Sequence, residues 1–187
     1  PQNAQYVNAY GTALQSEDNR RAARAYRDAL ALAPAWSAPY RNLGLLEYEE
    51  GRSVAALELF ATVVRLEPTS AETYADMGTA HLERRDLLLS LREYERALQL
   101  QPTNALAHAN LVYLRTKLCD WTGLPMLMAT LLALAADMLA RASHRAPLEP
   151  APHLFLPPYH ALAYEAFSPA LLRALAVTYA ERAAMTA

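Results

Sequence analysis

Apolar positions return along this chain with a long period. The bursts Ala29-Leu30-Ala31-Leu32-Ala33-Pro34, Val63-Val64-Arg65-Leu66-Glu67-Pro68 and Ala97-Leu98-Gln99-Leu100-Gln101-Pro102 place their prolines 34 residues apart. Tyr6, Tyr40, Tyr74 and His108 keep the same step, as do Tyr26, Phe60, Tyr94 and Met128. A period in this range marks stacked supersecondary units, since one unit cannot bury its apolar face and neighbours can. The pattern predicts a helix, a short turn and a second helix per period. Each proline closes the second helix or opens the turn after it, because it lacks an N–H and clashes with the preceding turn. An ordinary helical bundle gives no cause for a period of 34. The fold class expected is all-α.

With this period the chain resembles the tetratricopeptide (TPR) family. Residues 37–70 carry the pattern well, with Tyr40, Leu43, Gly44, Gly51, Ala56, Phe60 and Pro68. Residues 71–104 repeat it with Tyr74, Met77, Gly78, Tyr94, Ala97 and Pro102. In residues 1–36, Tyr10 takes the small-residue slot and Gly11 falls one place late. From 105 to 122 the unit is partial, with Leu111 kept and Val112 at the glycine slot. The resemblance implies an α-solenoid, a right-handed superhelix of helix hairpins. In it Gly44 and Gly78 let paired helices approach, and Tyr40 and Phe60 fill the space between them. A helix over 123–143, with Leu127, Leu131, Leu134 and Met138 at helical spacing, completes or caps the array. Thr122 reads as its N-cap, with Pro125 in the first turn.

Asn8, Asn42, Asp76 and Asn110 form a further series with a step of 34, each on the first helix of its unit. First helices line the concave side of such solenoids. Packed helices lie about 8–10 Å apart and an extended peptide rises about 3.3 Å per residue, so one amide per unit meets a peptide backbone about every third residue. A carboxamide both donates and accepts, so it can pair with any backbone amide. The expectation is a peptide-binding ladder of Asn8, Asn42, Asp76 and Asn110 for extended segments of acceptor proteins. Asparagine at this place can also serve the turn or the neighbouring helix. Asp76 breaks the amide series and, ionised, only accepts, which calls for a basic or hydroxyl-bearing contact.

Composition narrows the partners. The chain has 187 residues, with 39 Ala and 33 Leu against 5 Gly, a helical bias. Its 17 basic and 19 acidic side chains give a net charge of −2. That balance speaks against a nucleic-acid stripe and against a polybasic membrane contact. The longest uncharged apolar stretch, 122–136, falls short of the roughly 20 residues a membrane helix needs. The sequence therefore reads as soluble, and residues 1–10 are too polar for a secretory signal. Pro1 in place of a Met suggests a piece of a longer protein. Cys119, the single cysteine, fits a reducing, cytoplasmic compartment, with the nucleus also open in a eukaryote. Beside Trp121 it reads as a buried structural thiol. Met126, Met128 and Met138 read as core, as do His81 and His108. An incomplete array leaves apolar surface that could pair with a second copy.

Beyond the repeats, Cys119-Asp120-Trp121-Thr122 resembles the point where the TPR array of the O-linked N-acetylglucosamine (O-GlcNAc) transferase and SPINDLY-like family hands over to its catalytic region. The order that follows is similar too. A proline-rich linker covers 144–168, and Ser168-Pro169 then opens a helix over 169–187 leading toward a catalytic domain. Aligned through Ser168, His160 falls on a family histidine proposed as general base; aligned through Pro158 and Tyr164, Tyr159 takes that place. His160 is thus the catalytic candidate, with the pKa range a base needs. A histidine without a role in a proline-rich loop is the other reading. His144, His153 and His160 lack zinc-ligand spacing, so no metal is expected. The resemblance implies sugar transfer from UDP-GlcNAc, or from GDP-fucose in the sister branch, to Ser or Thr of bound proteins. These residues show no alternation of strands, glycine-rich turns and helices, so no cofactor site is expected in this chain, and alone it should be inactive. The other function class is a non-enzymatic TPR adaptor that scaffolds proteins.

Overall fold

The computed structural model describes residues 2–15 and 17–143. They fall into two compact units, one ending at Pro102 and the other beginning at Thr103. Among the described residues the regular structure is all helix. The linker expected at 144–168 and the helix expected at 169–187 lie outside the described residues.

The first unit holds six helices: α1 (Gln2–Leu14), α2 (Asn19–Leu32), α3 (Ser37–Glu49), α4 (Ser53–Leu66), α5 (Ala71–Glu83) and α6 (Leu87–Leu100). They pair as hairpins α1–α2, α3–α4 and α5–α6. Each hairpin then stacks on the next through α2 on α3 and α4 on α5, and α3 also meets α5. The helix ends follow from local chemistry. Asp18 caps α2 by accepting from the backbone N–H groups of Arg20 (2.9 Å) and Arg21 (3.1 Å). Ser70 accepts from the Thr73 N–H at the start of α5 (3.4 Å). Both satisfy donors that a helix start leaves orphaned. Helices α3 and α5 end alike. Gly51 and Arg85, 34 residues apart, take left-handed φ values of 75° and 63°. The next N–H then reaches back five residues, Arg52 to the Glu47 carbonyl (2.8 Å) and Asp86 to the His81 carbonyl (2.9 Å). This is the Schellman closure, which favours glycine at the left-handed position.

The core of each hairpin is a glycine facing a ring. Tyr26, Phe60 and Tyr94 are completely buried. A Cβ placed on Gly44 would stand 2.5 Å from Phe60 Cε1, and one on Gly78 2.8 Å from Tyr94 Cε1. In the first hairpin the seat belongs to Gly11, 2.7 Å from Tyr26 Cε1 by the same measure, while Tyr10 in the expected slot is exposed. The residue after each glycine matches the ring. Thr79 shares a hydrogen bond with the Tyr94 hydroxyl (2.8 Å), and Thr12 lies 3.4 Å from the Tyr26 hydroxyl, which also donates to Gln15 Oε1 (3.1 Å). Opposite Phe60, which has no hydroxyl to satisfy, stands Leu45. In the third hairpin Ser90 Oγ donates to the Gly78 carbonyl (2.7 Å), tying the two helices where they are closest.

The second unit contains α7 (Ala105–Lys117) and α8 (Leu124–Ser143). Asn104 caps α7 through the Ala107 N–H (3.0 Å). Val112, Leu124 and Leu131 are buried together, with Leu127 and Met128 packed against them. Three expectations are corrected here. Met126 is 73% exposed, because it lies on the side of α8 away from that cluster. Cys119 is exposed rather than buried. Its φ of 53° puts it at the left-handed turn address of Gly51 and Arg85. Thr122 does not cap α8: its N–H bonds Asp120 Oδ1 (3.0 Å), and Gly123 precedes the helix and accepts from the Leu127 N–H (3.1 Å). No described helix is long and apolar enough to cross a membrane.

Gly44→Ala should destabilise the protein by about 1–3 kcal/mol, the cost of overpacking against Phe60, whereas Arg85→Gly should stabilise it by about 0.5–1 kcal/mol by relieving a left-handed arginine; urea unfolding reads both. Burial, outweighing the Thr79 and Thr12 hydrogen bonds, raises the pKa of Tyr94 and Tyr26 above the ordinary tyrosine value. The unfolded chain then loses these protons first, so stability is full below the ordinary tyrosine pKa of about 10 and falls as pH rises above it. Tyr94→Phe should lessen that alkaline loss, measured as the unfolding midpoint against pH.

Candidate functional site

In the first unit, Asn8, Asn42 and Asp76 stand on α1, α3 and α5, the first helices of successive hairpins, and all three are half-buried. The structure joins the first two directly: Asn42 Nδ2 donates to Asn8 Oδ1 at 3.0 Å. That bond uses one donor and one acceptor. It leaves the Nδ2 of Asn8 and the Oδ1 of Asn42, a donor and an acceptor on adjacent side chains, outside the bond. A peptide group offers the complementary acceptor and donor.

Asp76 is held differently. Arg41 Nε donates to Asp76 Oδ2 (2.7 Å), and Arg41 Nη1 donates to Glu72 Oε2 (2.6 Å). The Asp76 side chain is only 11% exposed. The basic contact that its chemistry called for thus comes from within the protein, one hairpin away. Burial works to lower the Arg41 pKa, but the charge and hydrogen bond of Asp76, then the charge of Glu72, raise it on balance. The arginine therefore stays charged and the pair is locked. Arg41 and Glu72 are members of this polar row that the residue series alone missed. The available signal was adjacency, since Arg41 precedes Asn42 and Glu72 lies one helical turn before Asp76.

The row continues toward the helix ends. Gln15 Nε2 donates to both Glu49 carboxylate oxygens (3.3 and 3.4 Å), again across one repeat. Ser53 donates to Glu83, and Ser37 Oγ to Glu67 Oε2 (2.8 Å). Nearby, an open cleft of ≈ 600 Å³ runs between the start of α4 and the end of α5, lined by Arg52, Ser53, Glu83 and Arg84 among others. It is a surface groove and gives no water-excluded place for bond-making chemistry.

Asn110 belongs to the second unit, where its Nδ2 donates to the Leu106 carbonyl one turn back (3.1 Å). His108 is buried in α7. His81 Nδ1 is 3.7 Å from Asp86 Oδ2. The Cys119–Thr122 turn is knit by Asp120 and by Arg115, which donates to the Thr122 carbonyl. The backbone N–H of Thr122, then its side chain, lowers the Asp120 pKa. Trp121 is 63% exposed. His160, with Tyr159, lies outside the described residues, as do His144 and His153. Among the described residues no group of three His, Cys, Asp or Glu side chains could hold a metal ion.

Asp76→Ala should cost about 1.5–3 kcal/mol, the usual loss for a hydrogen bond to a charged group. In the background of Arg41→Met the same change should cost far less, as a double-mutant cycle in urea would show.

Many solved structures are similar, among them these three. The MamA RS-1 ArsTM double mutant matches with TM-score 0.63 and 20% identity, covering 72% of this chain and 76% of that one. MamA 41-end from Desulfovibrio magneticus RS-1 gives TM-score 0.62 at 20% identity with the same coverage, 72% and 76%. The first TPR of Spaghetti (RPAP3), bound to the HSP90 peptide SRMEEVD, gives 0.60 at 20% identity and covers 63% of this chain and 94% of that one. No protein-family model and no curated protein matches. At this identity the likeness carries the fold alone: the 34-residue helix hairpins of this chain make a TPR-type α-solenoid.

Proposed function

We propose that this chain is a protein-interaction module, a non-enzymatic adaptor. The side of its first unit that carries Asn8 and Asn42 holds an extended segment of a partner protein. The amide pair carries this reading. Its bond at 3.0 Å fixes both carboxamides in one orientation before any ligand arrives, so little side-chain entropy remains to be lost on binding. The RPAP3 neighbour, whose TPR holds a short peptide, supports the choice of an extended ligand.

The chemistry wanted differs from that peptide. SRMEEVD is acidic at its end, and an acidic ligand needs free cations. Helices α1 and α5 contain no lysine or arginine, and the single arginine of α3, Arg41, is tied to Asp76 and Glu72. Backbone recognition with little sequence preference suits this surface better.

A second reading keeps the same surface and gives it to an enzyme: the acceptor-holding part of an O-GlcNAc transferase-like protein, with UDP-GlcNAc or GDP-fucose as donor and His160 as base. The Cys119-Asp120-Trp121-Thr122 turn between α7 and α8 favours it, standing where that family ends its repeats. The adaptor reading leads because it needs only the described helices.

Peptides of 12 residues selected from a random display library on the intact chain should bind in fluorescence polarisation. Asn8→Ala with Asn42→Ala should weaken them by about 30-fold, two net hydrogen bonds of about 1 kcal/mol each. SRMEEVD should not compete. Undiminished binding by the double variant would reject the amide surface.

A further inference from the structure

Set on their glycines, the first helices of the three hairpins can be compared position by position. Five before, one before and two after Gly44 stand Pro39, Leu43 and Leu46, all buried. The same positions around Gly78 are Thr73 and Ala80, completely buried, and Met77, packed against the core. Around Gly11 they are Tyr6, Tyr10 and Ala13. There Tyr6 is 75% exposed and Tyr10 54%, and Ala13 is exposed too.

What buries this face in the other two hairpins is always the same kind of surface. Leu43 and Leu46 pack with Ala22 and Tyr26 of α2. Met77 and Ala80 pack with Ala56 and Phe60 of α4. The cover is a second helix that carries a small residue and, four positions on, a ring. The outer face of a terminal repeat is normally polar. Two tyrosines on one stripe of α1 do not meet that requirement, although Arg21 Nη2 steadies Tyr10 through its hydroxyl (3.0 Å).

We propose that the Tyr6–Tyr10–Ala13 face of α1 is a stacking surface for the second helix of a further hairpin of this repeat type, joined to α1 as α2 is joined to α3. The inference is independent of the peptide-binding reading. The tether decides the source. Each covering helix is linked to the helix it covers by four residues, 33–36 and 67–70. One helix laid on another falls short of the roughly 800 Å² per partner that a stable interface between separate molecules buries. A short linker supplies the effective concentration that such a small contact needs.

The test duplicates residues 37–70 ahead of α1 in the full chain and compares it with the unextended chain. The extended protein should unfold about 5 °C higher or more, as one added favourable interface predicts. Nitration of Tyr6 and Tyr10 by tetranitromethane, read by mass spectrometry, should fall to background. Tyr6→Arg with Tyr10→Arg should lower the unextended chain's midpoint only slightly, through loss of the exposed bond from Arg21, and should cancel the gain in the extended one. An unchanged midpoint with both tyrosines still nitrated, or a gain that survives the arginine pair, would overturn the proposal. So would dimerisation of the unextended chain in sedimentation that Tyr10→Glu abolishes, because the face would then belong to a second copy.

Discussion

The contact on which the first unit depends is a missing side chain. Gly11, Gly44 and Gly78 leave room for a ring close against the helix backbone, and Tyr26, Phe60 and Tyr94 fill it. A buried aromatic contributes through its area, and the contribution survives only if packing leaves no gap. The ring therefore sets the distance between paired helices. That distance positions the rest of each first helix, including the polar groups on its free side. The Thr12–Tyr26 and Thr79–Tyr94 contacts beside Leu45–Phe60 show the rule extended by one residue. Where the ring carries a hydroxyl, the neighbour offers an oxygen, because a buried hydroxyl without a partner is expensive.

Between hairpins the joints are of two kinds. Apolar faces stack through α2 on α3 and α4 on α5. Polar pairs then bridge consecutive first helices: Asn8 with Asn42, Arg41 with Asp76 and Glu72, Gln15 with Glu49. Partly exposed polar pairs add little stability. Their effect here is on order. Each fixes a rotamer on the surface that the proposed ligand would meet, so the surface is arranged before binding. Asp76 marks the boundary of the amide row, for its carboxylate accepts from an arginine of the preceding hairpin.

The sequence carried the repeat because periodicity is a property of spacing, and spacing survives substitution. The helix hairpins, the buried Phe60 and the glycine seats at Gly44 and Gly78 were legible from it, whereas Tyr40, expected beside Phe60, is only half-buried. Register within a helix was less so. Gly11 sits one place off the 34-residue step, yet it takes the seat, because what matters is which Cα faces Tyr26. Cys119 misled for another reason. Its residue type suggests burial, but its address, 34 after Arg85 and 68 after Gly51, is that of a left-handed turn, and the address governs. The site was half legible. Asn8, Asn42 and Asp76 share an address and the structure places them on successive first helices, but their partners were not written in the repeat. The Arg41–Asp76 pair joins residues 35 apart, one position off the period, so no comparison of equal addresses finds it.

The second unit shows how the glycine–ring rule can be relaxed without losing the hairpin. Val112 stands at the glycine address and Met128 at the ring address. The first helix has gained a branched side chain and the second has given up a ring, so bulk has moved across the contact. Both residues pack in the same small core with Leu124 and Leu131. An unbranched thioether bends around a valine where a flat ring could not. The exchange removes the geometric constraint that fixed the helix spacing before it, and the second helix is free to differ. By the step of the earlier second helices it would begin at 121; it begins at Leu124 and runs 20 residues where its predecessors run 14. The longer turn of Leu118 to Gly123 is thus the counterpart of the exchange at Val112 and Met128: once the ring is gone, nothing obliges the helix to start on the period.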